Sequence, residues 1–127
     1  MATLEASIFK KYDIRGRAQG DDPTLTPEVA HLIGRAFGTW LQQMENINTC
    51  VVGRDNRHTS ASLQEALMDG LQASGTHVVD IGLVATPLVY WHAVKLGKVG
   101  GAMVTASHLG PQHNGFKLCI GNRTIYG

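Results

Sequence analysis

Between residues 26 and 44 apolar side chains return every three or four positions, at Val29, Leu32, Ile33, Ala36, Phe37, Trp40, Leu41 and Met44. That spacing lays them along one face of a helix. Thr26, Pro27 and Glu28 mark its start: a hydroxyl for the orphan amides, a preset φ, and a negative charge at the positive helix end. Cys50-Val51-Val52-Gly53 then reads as a short buried strand, and the polar segment from Arg54 to Thr59 hands over to a second helix. Ser60 or Ser62 is predicted to cap that helix, which runs through Ser74 with Leu63, Ala66, Leu67 and Leu71 inward and Gly75 as terminator. The unit repeats. His77-Val78-Val79-Asp80-Ile81 is a predicted strand, Thr86-Pro87 opens a helix that closes at Gly97, and Ala102-Met103-Val104-Thr105 is the next strand.

Apolar strands alternating with helices predict an α/β fold with a mixed, mainly parallel sheet and flanking helices. The last strand, Phe116-Lys117-Leu118-Cys119-Ile120, follows too closely for a helical crossover and is expected to run antiparallel. At the other end, residues 8–15 alternate loosely and read as a short strand entering a loop at Arg15-Gly16-Arg17, with 18–25 an exposed connection. No linker, repeat or low-complexity tract divides the chain, so residues 1–127 are read as one domain. Its last residues, 123–127, announce no closing helix, although one is expected to cover that face of the sheet. Apolar surface left without that helix predicts self-association.

Composition narrows the function classes. The 127 residues are 43% hydrophobic and 17% charged, ordinary for a domain with a real core. Eleven Lys and Arg against ten Asp and Glu give a formal charge of +1, which argues against nucleic acid or an acidic membrane as the main partner. The one local basic cluster is Lys10, Lys11, Arg15 and Arg17. Apolar runs fall far short of the roughly 20 residues of a membrane span, and no apolar segment opens the chain, so a soluble cytoplasmic protein is expected. Cys50 and Cys119 lack zinc spacing and sit in strand-like stretches; both are read as reduced, buried thiols.

In parallel α/β sheets ligands bind beyond the carboxyl ends of the strands, which gathers the segments 53–60, 81–87 and 105–115. The third is the richest in chemistry. It carries Ser107, His108, His113 and Asn114, and Lys117 follows on the returning strand. A serine can carry a phosphoryl group when cations and amides neutralise the charge that develops on it. On residue types alone the signal is weak, because Ser-His neighbours are common and a Gly-rich polar segment after a strand is often only a turn. His113 is read as a solvated loop residue, since its spacing from His108 makes no helical metal pair. Arg54, Asp55 and Arg57 are read as charges that knit their loop to its neighbours. Trp40 and Trp91 are assigned to packing. The segment from Gly97 to Gly101 lacks Walker spacing and is read as a helix stop and turn.

Thr105-Ala106-Ser107-His108, followed five residues later by Asn114-Gly115-Phe116-Lys117, resembles the phosphoserine signature of the α-D-phosphohexomutases. KYDIRG at 11–16, VVGRDNR at 51–57 and TPLVYW at 86–91 are similar to other first-domain motifs of that family, in the same order. The resemblance covers essentially the whole chain and is greatest to the bacterial phosphomannomutase/phosphoglucomutase branch. It implies a first domain whose phosphoserine exchanges a phosphoryl group between hexose 1-phosphates and 6-phosphates through a bisphosphorylated sugar. Carried over, Ser107 matches the phosphoserine, while His108 and Lys117 match residues that assist proton transfer or stabilise charge. Tyr12 and Arg15 match residues beside the serine and the bound sugar phosphate. The resemblance also implies Mg²⁺, to which only Ser107 would contribute here, through its phosphate, and hexose 1,6-bisphosphate as activator. The aspartate loop that supplies the other metal ligands lies in a second domain.

One departure lies within the signature. Leu109-Gly110 stands where the family has Asn-Pro, so a polar anchor is lost and backbone freedom gained. Sugar recognition in the family belongs to later domains, so an isolated chain is expected to be incompetent as a mutase. A non-catalytic phosphosugar- or protein-binding module of the same fold is the competing reading. A small phosphatase using Ser107 is disfavoured because no metal-binding acidic cluster accompanies the serine.

Overall fold

Among the described residues, six strands and three helices follow one another as β1 (Ile14–Arg17), α1 (Pro27–Glu45), β2 (Thr49–Arg54), α2 (Ser60–Ala73), β3 (His77–Leu83), α3 (Thr86–Lys95), β4 (Gly100–Val104), β5 (His113–Ile120) and β6 (Arg123–Thr124). They come from a computed structural model that describes residues 14–19, 23–97, 99–105, 113–121, 123 and 124. The strands form one sheet in the order β1-β5-β4-β2-β3, with β6 paired to β5. β2 runs parallel to β3 and β4, and β5 runs antiparallel to β4 and β1. The mixed, flanked sheet and its antiparallel last long strand match the pattern read from the sequence.

Alternation along the strands divides the core in two. Cys50, Val52, Ala102, Val104, Phe116 and Ile120 point to the side where α1 and α2 contribute Val29, Ile33, Phe37, Leu41, Leu63, Leu67 and Leu71. Met103 and Cys119 point the other way, against Val89 and Ala93 of α3. Both cysteines are free and buried. Burial pushes the Cys119 thiol up to about 12, and burial with the neighbouring Cys119 raises Cys50 well above the ordinary thiol range.

Thr26 caps α1 as expected, its hydroxyl accepting from the Val29 amide at 3.2 Å. The inward face differs from the predicted one. Ala36 and Met44 are exposed, and Gly34 and Gly38 are buried with Val29, Ala30, Ile33, Phe37 and Leu41. The reason is the close crossing of α1 and α2. A Cβ at Gly34 would stand 2.2 Å from the Leu67 carbonyl oxygen, and one at Gly70 would stand 2.1 Å from that of His31. Glycines carry no hydrophobic signal, yet here they let two backbones touch.

Other readings change for similarly local reasons. The connection 18–25 ends in buried Thr24 and Leu25, whose amides both donate to the Arg17 carbonyl at 2.9 Å. Gly16 and Arg17 continue β1 because β5 extends far enough to pair with them. Thr59, not Ser60 or Ser62, occupies the cap position of α2 and makes no side-chain cap bond. Gly97 does stop α3, with φ +95°, but Gly100 and Gly101 belong to β4. A side chain on either would collide with Leu41 or Cys119. Trp40 is half-buried against Phe37, with ring centroids 6.2 Å apart, as a packing residue should be. Trp91, assigned to packing, is 54% exposed and has the Lys95 ammonium 5.1 Å from its ring centroid. No helix among the described residues is long and apolar enough to cross a membrane.

Candidate functional site

β4 and β5 form a hairpin whose connection starts at Thr105 and returns at His113. The Thr105 amide donates to the Gly115 carbonyl at 2.8 Å, closing the ladder at the mouth of that connection. Ser107, His108 and the Leu109-Gly110 departure fall within residues 106–112, and Tyr12 within 1–13; all lie outside the described residues. What the structure does describe is the floor beneath the hairpin mouth.

Register fixes which side chains share that floor. Arg15 stands opposite Gly115 and Arg17 opposite His113 in the antiparallel β1–β5 pair. Directly opposed residues point to the same face, and residues two apart along a strand do too. Arg15, Arg17, His113 and Lys117 therefore share one face of the sheet. Lys117 pairs with Met103, which packs toward α3, so the face is the α3 side. Ile14, Asn114 and Phe116 occupy the opposite face; Ile14 and Phe116 enter the larger core. Two of the residues proposed from sequence, Arg15 and Lys117, are thus brought together, both half-buried.

Gly115 is what allows this. A Cβ there would meet the Ile14 carbonyl oxygen at 2.1 Å and the Arg15 Cγ at 2.9 Å. The Arg15 side chain lies across the gap that the missing side chain leaves. His113 and Lys117 flank it as diagonal neighbours, at a separation that long side chains span.

The loop after β2 holds this corner from behind. The Arg57 guanidinium contacts the Asp55 carboxylate at 3.2 Å through Nε, and its Nη1 donates to the His113 carbonyl at 3.4 Å. Asp55 also accepts from the Arg57 amide at 3.1 Å and the Ser60 hydroxyl at 2.6 Å, while its own amide donates to the Val104 carbonyl at 3.1 Å. Asn114 Nδ2 reaches across to the hydroxyls of Thr59 and Ser60 at 2.8 and 3.0 Å. Asp55 and Arg57 therefore do knit their loop to its surroundings. The roles of Asn114, Thr105 and Ser60 escape sequence reasoning, because their partners lie on other elements.

Burial would raise the Asp55 pKa, but hydrogen bonds from Ser60, Thr105 and the Arg57 amide, together with the Arg57 charge, hold it below the usual carboxylate value. A depressed folded-state value means its contribution is complete above the unfolded value near 4 and is lost as pH falls through the folded one. Asp55→Asn is accordingly expected to cost about 1 kcal/mol at pH 7. The gap to the parent chain should begin to narrow near pH 4 and close as pH falls through the lower folded value. Denaturant titrations at pH 7 and pH 3 check this; an equal gap at both would refute it.

Mg²⁺ takes hard oxygen ligands. Among the described residues no three acidic, imidazole or thiol groups cluster, and Asp55 is already engaged by Ser60, Thr105 and Arg57. These residues do not fit a metal site.

A family model described as "Phosphoglucomutase/phosphomannomutase, alpha/beta/alpha domain I" matches residues 6–124. The phosphomannomutase/phosphoglucomutase of Pseudomonas aeruginosa is 44% identical over 124 residues, which are 97% of this chain and 26% of that protein. The phosphoglucomutase of Neisseria meningitidis serogroup B is 40% identical over the full chain and 27% of its own length. The crystal structure of a phosphoglucomutase/phosphomannomutase family protein from Burkholderia thailandensis superposes with a TM-score of 0.87 at 39% identity, covering 98% of this chain and 28% of that one. The chain thus spans about a quarter of the length of these relatives. With the mixed sheet, the hairpin and its paired cations in register, it belongs to the phosphoglucomutase/phosphomannomutase family, as that family's α/β/α domain I.

Proposed function

We propose that this chain is the serine-bearing domain of a phosphohexomutase, in which Ser107 exchanges a phosphoryl group with hexose phosphates. The observation that carries the reading is the shared face of Arg15 and Lys117 on β1 and β5, the latter being the strand that follows the segment bearing Ser107. Two cations there meet the main physical demand of phosphoryl transfer, neutralising charge on the equatorial oxygens as the group moves.

Loading from a hexose 1,6-bisphosphate would proceed by attack of Ser107 Oγ on phosphorus. The Oγ–P bond forms, the sugar O–P bond breaks, the serine proton passes to His108, and the departing sugar oxygen takes up a proton. The reverse step delivers the phosphoryl group to a free hydroxyl of a hexose monophosphate. Attack on the phosphoserine phosphorus by O6 of a hexose 1-phosphate in one direction, and by O1 of a hexose 6-phosphate in the other, breaks the Oγ–P bond and interconverts the two through the bisphosphate. Arg15 and Lys117 hold and neutralise the phosphoryl group, with Tyr12 beside it. The sugar itself, and any Mg²⁺, would be held largely by the parts of the relatives that lie outside the matched quarter. Full turnover by these 127 residues is therefore not expected.

Intact mass after incubation with Mg²⁺ and glucose 1,6-bisphosphate tests this, with peptide mapping and a Ser107→Ala control. One added phosphoryl group at Ser107, absent from the control, is the expected result. Addition elsewhere, or equal addition to Ser107→Ala, would overturn the assignment. An unlabelled chain would favour the binding-module reading, for which the Leu109-Gly110 departure is the sequence argument.

A further inference from the structure

His113 stands apart from every role assigned so far. It opens β5, half-buried, directly opposite Arg17 and diagonal to Arg15 on the same face. Its ring Nδ1 is buried and has no hydrogen-bond partner among the described residues. A buried polar atom left unpaired costs free energy, so an orphan in a folded protein asks for a partner. The backbone around it is held firmly: Arg57 grips its carbonyl, and the next residue, Asn114, is bonded to Thr59 and Ser60. With its backbone held this way, His113 stands opposite Arg17 and diagonal to Arg15 of β1, with Lys117 beyond Gly115 on its own strand, so its ring lies in a cationic corner.

We propose that His113 is a phosphate-binding residue, its Nδ1–H donating to an oxygen of a phosphate monoester held over Gly115 by Arg15 and Lys117. The assignment rests on the phosphohexomutase reading and deepens it by adding a third donor to the anion site. A cation-only pair neutralises charge from two sides, whereas an imidazole N–H adds direction and discriminates orientation. The phosphate has two sources, the phosphoserine at residue 107 or the phosphate of a bound sugar, and both present the same oxygens.

The test follows the imidazole ring signals of His113 by NMR while inorganic phosphate is added to the Ser107→Ala chain, and compares them with those of the Ser107-phosphorylated chain. Saturable movement of the His113 ring is expected in the first case, and movement in the second identifies the phosphoserine as a source. His113→Phe should weaken phosphate binding about tenfold, the scale of one lost hydrogen bond to a charged group. His113→Asn, whose amide nitrogen falls near the position of Nδ1, should restore most of it, whereas His113→Gln should not. The Asn variant also guards against misfolding of the Phe variant. Unchanged phosphate affinity in His113→Phe, or a ring that does not respond to phosphate, overturns the proposal. Failure here with Ser107 still labelled leaves the transfer reading standing; phosphate binding through His113 without any labelling sinks transfer alone.

Discussion

Gly70→Ala is expected to destabilise the chain by about 3 kcal/mol, lowering its melting temperature by roughly 10 °C. Helix propensity predicts the opposite sign, since alanine in a helix interior is favoured over glycine by about 1 kcal/mol. Two magnitudes therefore compete, and geometry decides. The new Cβ would stand 2.1 Å from the His31 carbonyl oxygen and 2.9 Å from the Arg35 amide nitrogen, both backbone atoms that cannot swing aside. Relief requires α1 and α2 to move apart. These helices enclose Ile33, Phe37, Leu41, Leu63, Leu67 and Leu71, so separation opens gaps along the whole stripe. Gly34→Ala should act alike, because its Cβ would meet the Leu67 carbonyl from the other side. The double variant should cost less than the sum, as one separation relieves both contacts. Thermal and urea unfolding of the three variants measure this. Stabilisation by either single alanine would mean that propensity governs and the crossing is looser than described.

That crossing also shows where sequence reading reached its limit. The helix start at Thr26, the strand–helix alternation and the antiparallel return were all legible, because they depend on periodicity and on residues adjacent in the chain. The inward face of α1 was legible only in part. Counting hydrophobic positions selects Ala36 and Met44 and passes over Gly34 and Gly38, whose value lies in being small against a neighbour 30 or more residues away. Gly100 and Gly101 looked like a turn for the same reason, and strand membership follows from what lies above and below them. Trp91 sits on a short helix that is apolar nearly all round, so composition could not choose the half that faces the sheet.

Of the candidate site, Arg15 and Lys117 are proposed through motif resemblance, and the structure adds that register puts them on one face. The sequence pattern reads His113 as a solvated loop residue, whereas it is half-buried and opens β5. The polar run before Gly115 looks like a turn, but β1 reaches Arg17 and so draws His113 into the ladder. The bond from Asn114 to Ser60 then fixes it across 54 residues of sequence. Neither contact leaves a local signature.

Arg15→Ala is expected to slow loading of Ser107 from glucose 1,6-bisphosphate by about 100-fold or more, the usual loss when one preorganised donor to a developing charge is removed. The fold should hardly notice. Arg15 is half-buried on a sheet-edge strand, and Ile14 beside it supplies the core contact. Arg15→Lys separates two roles of the guanidinium. Charge alone would survive the change, but the planar fork that grips two oxygens would not, so recovery to within about tenfold of the parent rate is expected. Gly115→Ala displaces Arg15 without removing it, since the added methyl occupies the space its Cγ now crosses. The methyl also meets the Ile14 carbonyl, so its loading is read beside its thermal unfolding to separate displacement from loss of the β1–β5 pairing. That variant should load slowly although every charged group remains. The initial rate of phosphoryl incorporation, followed by intact mass, measures all three. Parent-like loading by Arg15→Ala would remove this arginine from the transfer step, and parent-like loading by Gly115→Ala would show that its placement over the glycine is immaterial. If both are slow while Arg15→Lys recovers, position and charge act together, as an electrostatic clamp on a transferring phosphoryl group requires.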